Sequence, residues 1–311
     1  MTTFKNRVFG AAIVKAVNSN YNADFSGQPR TLPNGTVYAT DKAFKYTIKN
    51  YLKNVYSGEK VFYFKRLNQD FNPLTLDDAY ATVFPQNKES KEKSVVAKDI
   101  LSCIDIRLFG ATFAKKGKTK ESNVAISIHG PVQINHGVNV WVENNIFSEQ
   151  ITAPFSSPGE TDKEMTTIGR QSKLEEGHYL HHFSVNPKNL DEVVKLAGEG
   201  TDNLTTEDIN KLKEAMRRGA TYYDSASKAG TENEFVIWVQ LNENSKLVLP
   251  NFSQLMVMKE EKENGRVVLD LSSLNTILNK HSSEIEKMEI YRNEASLKIE
   301  NMPEKANVFD L

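Results

Sequence analysis

The 311-residue sequence predicts an α+β fold built on an open antiparallel sheet. Three observations carry this expectation. Residues 7–17 (RVFGAAIVKAV) are almost continuously apolar and rich in β-branched and small side chains, as in a buried strand. Residues 40–56 and 205–218 each repeat apolar side chains at helical spacing. Strand-like segments separate and follow these helices. The order strand, helix, strand, strand, helix, strand is that of the split βαβ, ferredoxin-like arrangement. RNA-recognition domains use its open sheet as a platform, although the arrangement also hosts unrelated functions.

Residues 18–35 after the first strand are full of Asn, Asp, Gly and Pro, which makes them a long loop. Long ordered loops in compact domains are usually functional. The helix over 40–56 places Phe44, Ile48, Tyr51, Leu52 and Val55 on one face, with Thr40 or Asp41 as its cap. Lys42, Lys45, Lys49 and Lys53 fall on the opposite face, within about 80°. Residues 57–98 read as an insertion, with residues 85–93 as an insertion or mobile loop. Residues 105–114 and 124–142 read as two strands joined by a basic turn, 115–120. Residues 152–165 are loop-like and 177–185 read as a strand. The helix over 205–218 buries Ile209, Leu212, Ala215 and Met216, with Gly219 as its C-cap. A strand over 234–241, a short strand, a helix near 271–279 and two charged strand-like segments complete a single domain with insertions over 1–311.

Composition narrows the function classes. Hydrophobic residues make up 39% of the chain, which suits a globular protein. No apolar stretch approaches the roughly 20 residues of a membrane span, and the first residues carry no signal-peptide core, so a cytoplasmic location is expected. The single cysteine, Cys103, rules out an intrachain disulfide and a cysteine-based zinc site. Net charge is −1, yet residues 1–130 carry 20 Lys+Arg against 11 Asp+Glu, and residues 131–311 carry 19 against 29. A basic first half suits a phosphate track, and the asymmetry suits head-to-tail contact between copies.

No catalytic constellation stands out. Gly110 and Gly117-Lys118-Thr119 are separated by six residues where a phosphate-cradling P-loop needs four. The six histidines lack the convergent set that zinc requires, and polar or stacking roles are expected, with His178 and His182 on one face of a strand. Cys103 lies in an apolar run, where a thiol is a poor nucleophile. Asp24 is the one residue that keeps a metal-dependent nuclease open, because a carboxylate beside a phosphodiester can hold a divalent ion. Its plainer reading is a turn-forming Asp. The positive signals are the lysine stripe, suited to a phosphate backbone, and Asn18, Asn20, Tyr21 and Asn22, suited to hydrogen bonding and stacking.

Three groups of segments together resemble one family. The first is Asn20-Tyr-Asn-Ala-Asp24, Pro29-Arg30-Thr31 and Thr40-Asp41 through Lys45 to Ile48-Lys49-Asn50-Tyr51. The second is Asp105-Ile-Arg107-Leu-Phe109-Gly110-Ala111. The third is His129-Gly130-Pro131-Val132-Gln133, followed by Ile168-Gly169-Arg170 and Gly177-His178-Tyr179. At these spacings they resemble the backbone subunit of type I CRISPR interference complexes (Cascade), most like subtype I-B. The resemblance implies a modified RNA-recognition fold with a protruding thumb over 144–173, and copies stacked head to tail on CRISPR RNA alongside other Cascade subunits. It implies that the guide is left open to pair with a target DNA strand, so that base pairing supplies sequence specificity. It implies no catalysis; no cofactor and no metal are expected. Carried onto this chain, the implied RNA contacts are Asn18, Asn20, Asn22, Arg30, Lys45, Lys49, Arg107, Gln133, Arg170 and Lys173, with Met165 or Ile168 as a wedge between bases. Related type III subunits cut RNA with an Asp in the equivalent loop, so Asp24 carries the alternative reading.

Overall fold

A computed structural model of the chain describes residues 2–115, 123–142, 144–152, 154–155 and 167–311. Its elements follow the chain as β1 (Val8–Ser19), β2 (Tyr38–Ala39), α1 (Asp41–Val55), α2 (Leu76–Val83), α3 (Lys93–Leu101), α4 (Ile104–Phe109), β3 (Gly110–Lys115) and β4 (Val124–His129). Next come β5 (Val132–Ile134), β6 (Gly137–Asn139), β7 (Ile146–Thr152), β8 (Thr167–Val185), α5 (Asp191–Ala197), α6 (Thr206–Tyr222) and β9 (Thr231–Leu241). The last third holds β10 (Val257–Met258), β11 (Val267–Asp270), α7 (Ser272–Lys280), β12 (Ile285–Arg292), β13 (Leu297–Glu300) and β14 (Asn307–Asp310). The fold is α+β.

β1 explains why the sheet is organised as it is. Alternate side chains point to opposite faces, and β1 is apolar on both. Val8, Ala12, Val14 and Ala16 join one core with α1 and α6 residues such as Phe44, Ile48, Leu212 and Met216. Phe9, Ala11 and Ile13 join a second core with Leu269, Leu274 and Leu278 from β11 and α7. Such a strand is stable only in the middle of a layered structure. It pairs antiparallel with β8 on one side and with β9 on the other. The main sheet runs β14-β12-β9-β1-β8-β6-β2, with β5 and β7 also paired to β8. β10-β11-β13 and β3-β4 form separate small sheets.

Several elements differ from the sequence expectation, each for a physical reason. Residues 105–114 were expected as one strand, but the first part is α4. All six α4 residues are buried, and the Asp105 carboxylate accepts from the backbone N–H of Phe62 at 2.7 Å and of Tyr63 at 2.9 Å. Tertiary burial here overrides the β-branched pattern. Gly110, at φ +70°, then turns the chain out of the helix into β3. The strand expected over 124–142 is β4, β5 and β6, broken at Gly130-Pro131 and at Asn135-His136. Within the segment expected as an insertion or mobile loop over 85–93, Pro85–Asn87 form a 3-10 turn and Lys93 opens α3. Gly219 is not a C-cap: α6 continues to Tyr222, and a Cβ on Gly219 would stand 2.9 Å from the Thr47 carbonyl oxygen. The missing side chain is what lets α6 lie directly on α1.

Of the residues 152–165 expected to be loop-like, only 152, 154 and 155 are described; the strands on either side, β7 and β8, pair antiparallel. β8 is 19 residues long. Its second half pairs with β1, while residues 167–174 pair with β7, every residue of which is exposed. This hairpin therefore stands away from the cores. Met165 and Lys116 to Lys120 of the basic turn lie outside the described residues, as does the Ile168 side chain. Among the described residues no helix is long and apolar enough to cross a membrane.

Candidate nucleic-acid interface

The loop after β1 is built from hydrogen bonds to its neighbours. Asn18 is exposed at φ +47°, where the chain begins to leave the strand. Asn20 is buried: its Nδ2 donates to the Gly27 carbonyl at 3.2 Å and the Ser172 carbonyl at 3.0 Å, fastening the loop to β8. Asn22 Oδ1 accepts from the Thr40 backbone N–H and hydroxyl, each at 3.0 Å, fastening it to the start of α1. Arg30 Nε donates to the Ala23 carbonyl at 3.1 Å, and its guanidinium lies 5.9 Å from the centre of the fully exposed Phe25 ring. Tyr21 was expected to stack on a ligand, but it is buried and its hydroxyl meets His181 Nε2 at 3.3 Å. Burial pulls the His181 imidazole down to about 4. A neutral ring can donate from Nδ1 to the Asn135 carbonyl and accept from Tyr21.

Asp24 closes a turn inside this loop. Its Oδ1 accepts from the Ser26 hydroxyl at 2.7 Å, the Ser26 N–H at 2.8 Å and the Gln28 N–H at 3.0 Å. The Ser26 hydroxyl is the main reason the carboxyl sits below its usual range. No group of three or more His, Cys, Asp or Glu able to hold a metal occurs among the described residues.

The lysine face of α1 is not simply solvated. Lys45 Nζ bridges to Asp41 at 3.1 Å and lies 5.6 Å from the Phe109 ring. Lys49 Nζ sits 3.7 Å from Asp105, 5.7 Å from the Tyr63 ring and 5.9 Å from the Phe109 ring. Burial lowers the Lys49 ammonium, with Asp105 opposing that shift. Lys53 lies 4.8 Å from the Phe64 ring, which stacks on Tyr46 at 4.9 Å. Lys42 and Lys53 are exposed. The result is a band of cations interleaved with aromatic rings. At its loop end, His136 is exposed and accepts from the Asp41 backbone N–H at 3.2 Å, its ring 5.5 Å from Tyr38.

The other expected contacts divide. Lys173 and Arg170 lie on the hairpin strand β8, Lys173 paired to Glu149 at 2.8 Å and Arg170 exposed. Gln28 Nε2 reaches Ser148 Oγ at 3.4 Å and Ser148 meets Ser172 at 2.7 Å, so the loop touches the hairpin base. Gln133 is exposed on β5 and donates to the Gly130 carbonyl at 2.8 Å. Arg107, expected on a central strand facing nucleic acid, is instead buried on α4. It forks onto Asp208 at 2.8 and 3.1 Å and donates to the Leu101 carbonyl at 3.0 Å. Buried, and with Glu59 a further 3.7 Å from Nη2, its guanidinium is turned to carboxylates inside the protomer and not to a phosphate. Burial pushes the Cys103 thiol up to about 12, in keeping with an inert side chain.

A family model described as CRISPR-associated protein Cas7 matches residues 6–277. The chain belongs to the Cas7 family. The fold agrees: a chain of a "CRISPR RNA-guided surveillance complex, pre-nicking" is similar with a TM-score of 0.56 at 13% identity, over 98% of this chain and 96% of that one. A chain of a "CRISPR RNA-guided surveillance complex" gives 0.50 at 13% identity, over 96% of each. A search of curated proteins finds no match.

Two residues of this Cas7-family site were not among the expected contacts. One is His136, for which only the polar or stacking role shared by the six histidines was expected. The other is Lys228, whose Nζ donates to the carbonyls of Asn20 at 2.7 Å and Tyr21 at 2.8 Å and so holds the loop from beneath. Burial brings the Lys228 ammonium down to about 8. The Ser-rich stretch around it gave no helical or strand period from which to place it.

His178 serves the Cas7-family sheet itself. It is buried, 2.5 Å from Glu234 and 3.5 Å from Glu176, and edge-on to Trp141. Burial opposes its charge, but the two carboxylates raise it above the ordinary value. A raised imidazole stabilises fully below about pH 6.5 and loses that contribution as pH rises through the folded value. Thermal melts from about pH 5 to about pH 9 are therefore expected to fall more steeply above about pH 6.5 for the native chain than for His178→Gln. Parallel curves would remove the charge from His178.

Proposed function

We propose that this chain is a non-catalytic subunit that binds CRISPR guide RNA in a type I Cascade assembly, close to subtype I-B. In this reading, copies follow one another head to tail along the guide and leave it open to pair with a target DNA strand. The observation that carries the reading is the continuous band from the hairpin base, through the Asn18–Arg30 loop, to the lysine and aromatic face of α1. Cations track a phosphate backbone and rings accept bases without sequence preference. The family membership and the similar fold support it. The order β9-β1-β8-β6, with α1 and α6 packed into one core, supports an RNA-recognition-like palm, with the β7–β8 hairpin as its thumb.

The alternative is a metal-dependent endoribonuclease using Asp24, against which the three donors on Asp24 Oδ1 favour a turn-forming role. The test uses purified chain with guide-like RNA. The expected result is binding whose logarithm falls linearly with the logarithm of salt, with a slope of about −0.7 per phosphate contacted. Complementary target RNA, added with Mg²⁺, is expected to remain intact. Cleavage that Asp24→Ala abolishes would reverse the assignment.

A further inference from the structure

Three four-residue turns in this chain share one hydrogen-bonding design. Asp24 N–H bonds Gln28 O at 2.7 Å, Leu32 N–H bonds Thr36 O at 2.8 Å, and Asn68 N–H bonds Asn72 O at 2.8 Å. In each, the fourth residue donates back to the first and stands in the left-handed region. The first two turns have glycine there, Gly27 at φ +84° and Gly35 at φ +87°. The third has Phe71 at φ +60°. A bulky residue enters that region against a steric penalty glycine does not meet. Phe71 is also 83% exposed, and among the described residues its ring meets no other ring or cation. Strain without internal burial directs attention to contacts outside the protomer.

The geometry points to a second copy of this chain as the partner, with Phe71 of one copy seated in an apolar pocket between α3, β4 and α5 of the next. That pocket is lined by Ala97, Ile126, Val193 and Leu196, with Lys93 at its border, and holds about 190 Å³. An apolar cavity of roughly 150 Å³ accommodates a benzene ring. Leu196 is 74% exposed, so the pocket has an uncovered apolar wall. Charge favours a protein over a nucleic acid. The tip Asn68-Gln-Asp70-Phe71-Asn72 has no cation to meet a phosphate, whereas Asp70 complements Lys93.

The knob and the pocket are different surface features of one protomer. Tyr63, just before the turn, donates from its hydroxyl to the Thr112 carbonyl on β3, while the pocket borders β4, the other strand of that ribbon. In the head-to-tail arrangement, a contact between these unlike surfaces propagates from copy to copy. This inference rests on the head-to-tail reading above and names the surfaces that would perform it.

The test is a disulfide between copies. Differently tagged Phe71→Cys and Leu196→Cys chains are mixed on an RNA long enough for several copies and oxidised. The buried Cys103 stays silent. The expected product is a mixed dimer that needs both variants, and a ladder when one chain carries both. Phe71→Gly is expected to melt no lower than the native chain and to bind a one-copy RNA unchanged. Its loading of a second copy on longer RNA should fall at least about tenfold, roughly 1.4 kcal/mol. RNA-bound multimers without the cross-link would overturn the contact alone. Weakened binding of Phe71→Gly to the one-copy RNA would assign the ring to base stacking and overturn it too. A native chain that binds no RNA would instead overturn the reading of the preceding subsection, and the contact with it.

Discussion

Arg107→Ala is expected to destabilise the fold by about 3–5 kcal/mol, the usual cost of leaving one member of a buried ion pair alone. Asp208 is buried and already closes the capping box of α6 with Thr205. Without Arg107 its carboxylate keeps those two bonds and loses both guanidinium bonds. Adding Asp208→Asn removes the stranded charge while an amide can still serve the cap. The double variant is therefore expected to recover part of the loss in urea or thermal melts. The pair also joins α4 to α6 across 101 residues of sequence, so its loss should be felt globally. A variant that melts like the native chain but binds RNA poorly would return Arg107 to the interface.

Lys42→Glu with Lys45→Glu is expected to lower affinity for single-stranded RNA on the order of 100-fold at physiological salt. Charge-assisted hydrogen bonds are worth about 1.5–3 kcal/mol each, and tenfold corresponds to about 1.4 kcal/mol. The salt slope should become shallower by about 1.4, from about 0.7 for each of two phosphates. Stability should change little: Lys42 is exposed, and the Lys45–Asp41 bridge is a partly exposed i,i+4 pair worth about 0.3–0.5 kcal/mol. Lys49 is a poorer choice for this measurement. It lies against Asp105, whose carboxylate holds the Phe62 and Tyr63 backbone, so its removal mixes folding with binding. Unchanged affinity and slope in the double variant would move the phosphate path off α1.

The parts of the fold legible in the sequence were those with a clean period and a local cause. β1 announced itself as an apolar run, α1 and α6 by spacing, and α1 also by the capping side chain of Thr40. α4 was not legible, because Ile104 and Ile106 mimic a strand and the helix is fixed by distant backbone N–H groups reaching Asp105. The site was half legible. Composition marked the Asn-rich loop and the lysine stripe, but it could not separate Asn20 and Asn22, which fasten the loop, from Asn18, which is exposed. Nor could it show that Arg107 is satisfied inside the protomer. Lys228 and His136 act through contacts made only after the chain returns on itself.

β8 has a mechanical consequence. One uninterrupted strand is clamped to β1 from Val185 to Leu174 and then runs on to Thr167 with β7 as its sole described partner. At about 3.3 Å per residue that free length is roughly 23 Å. A beam clamped this way has no hinge at its root: a sideways load at its free end twists β1 instead of folding the hairpin over. Over the described residues its reach from the Asn18–Arg30 loop is set by strand pairing, and in the head-to-tail arrangement proposed above identical copies would mark that length off at equal intervals like graduations on a ruler.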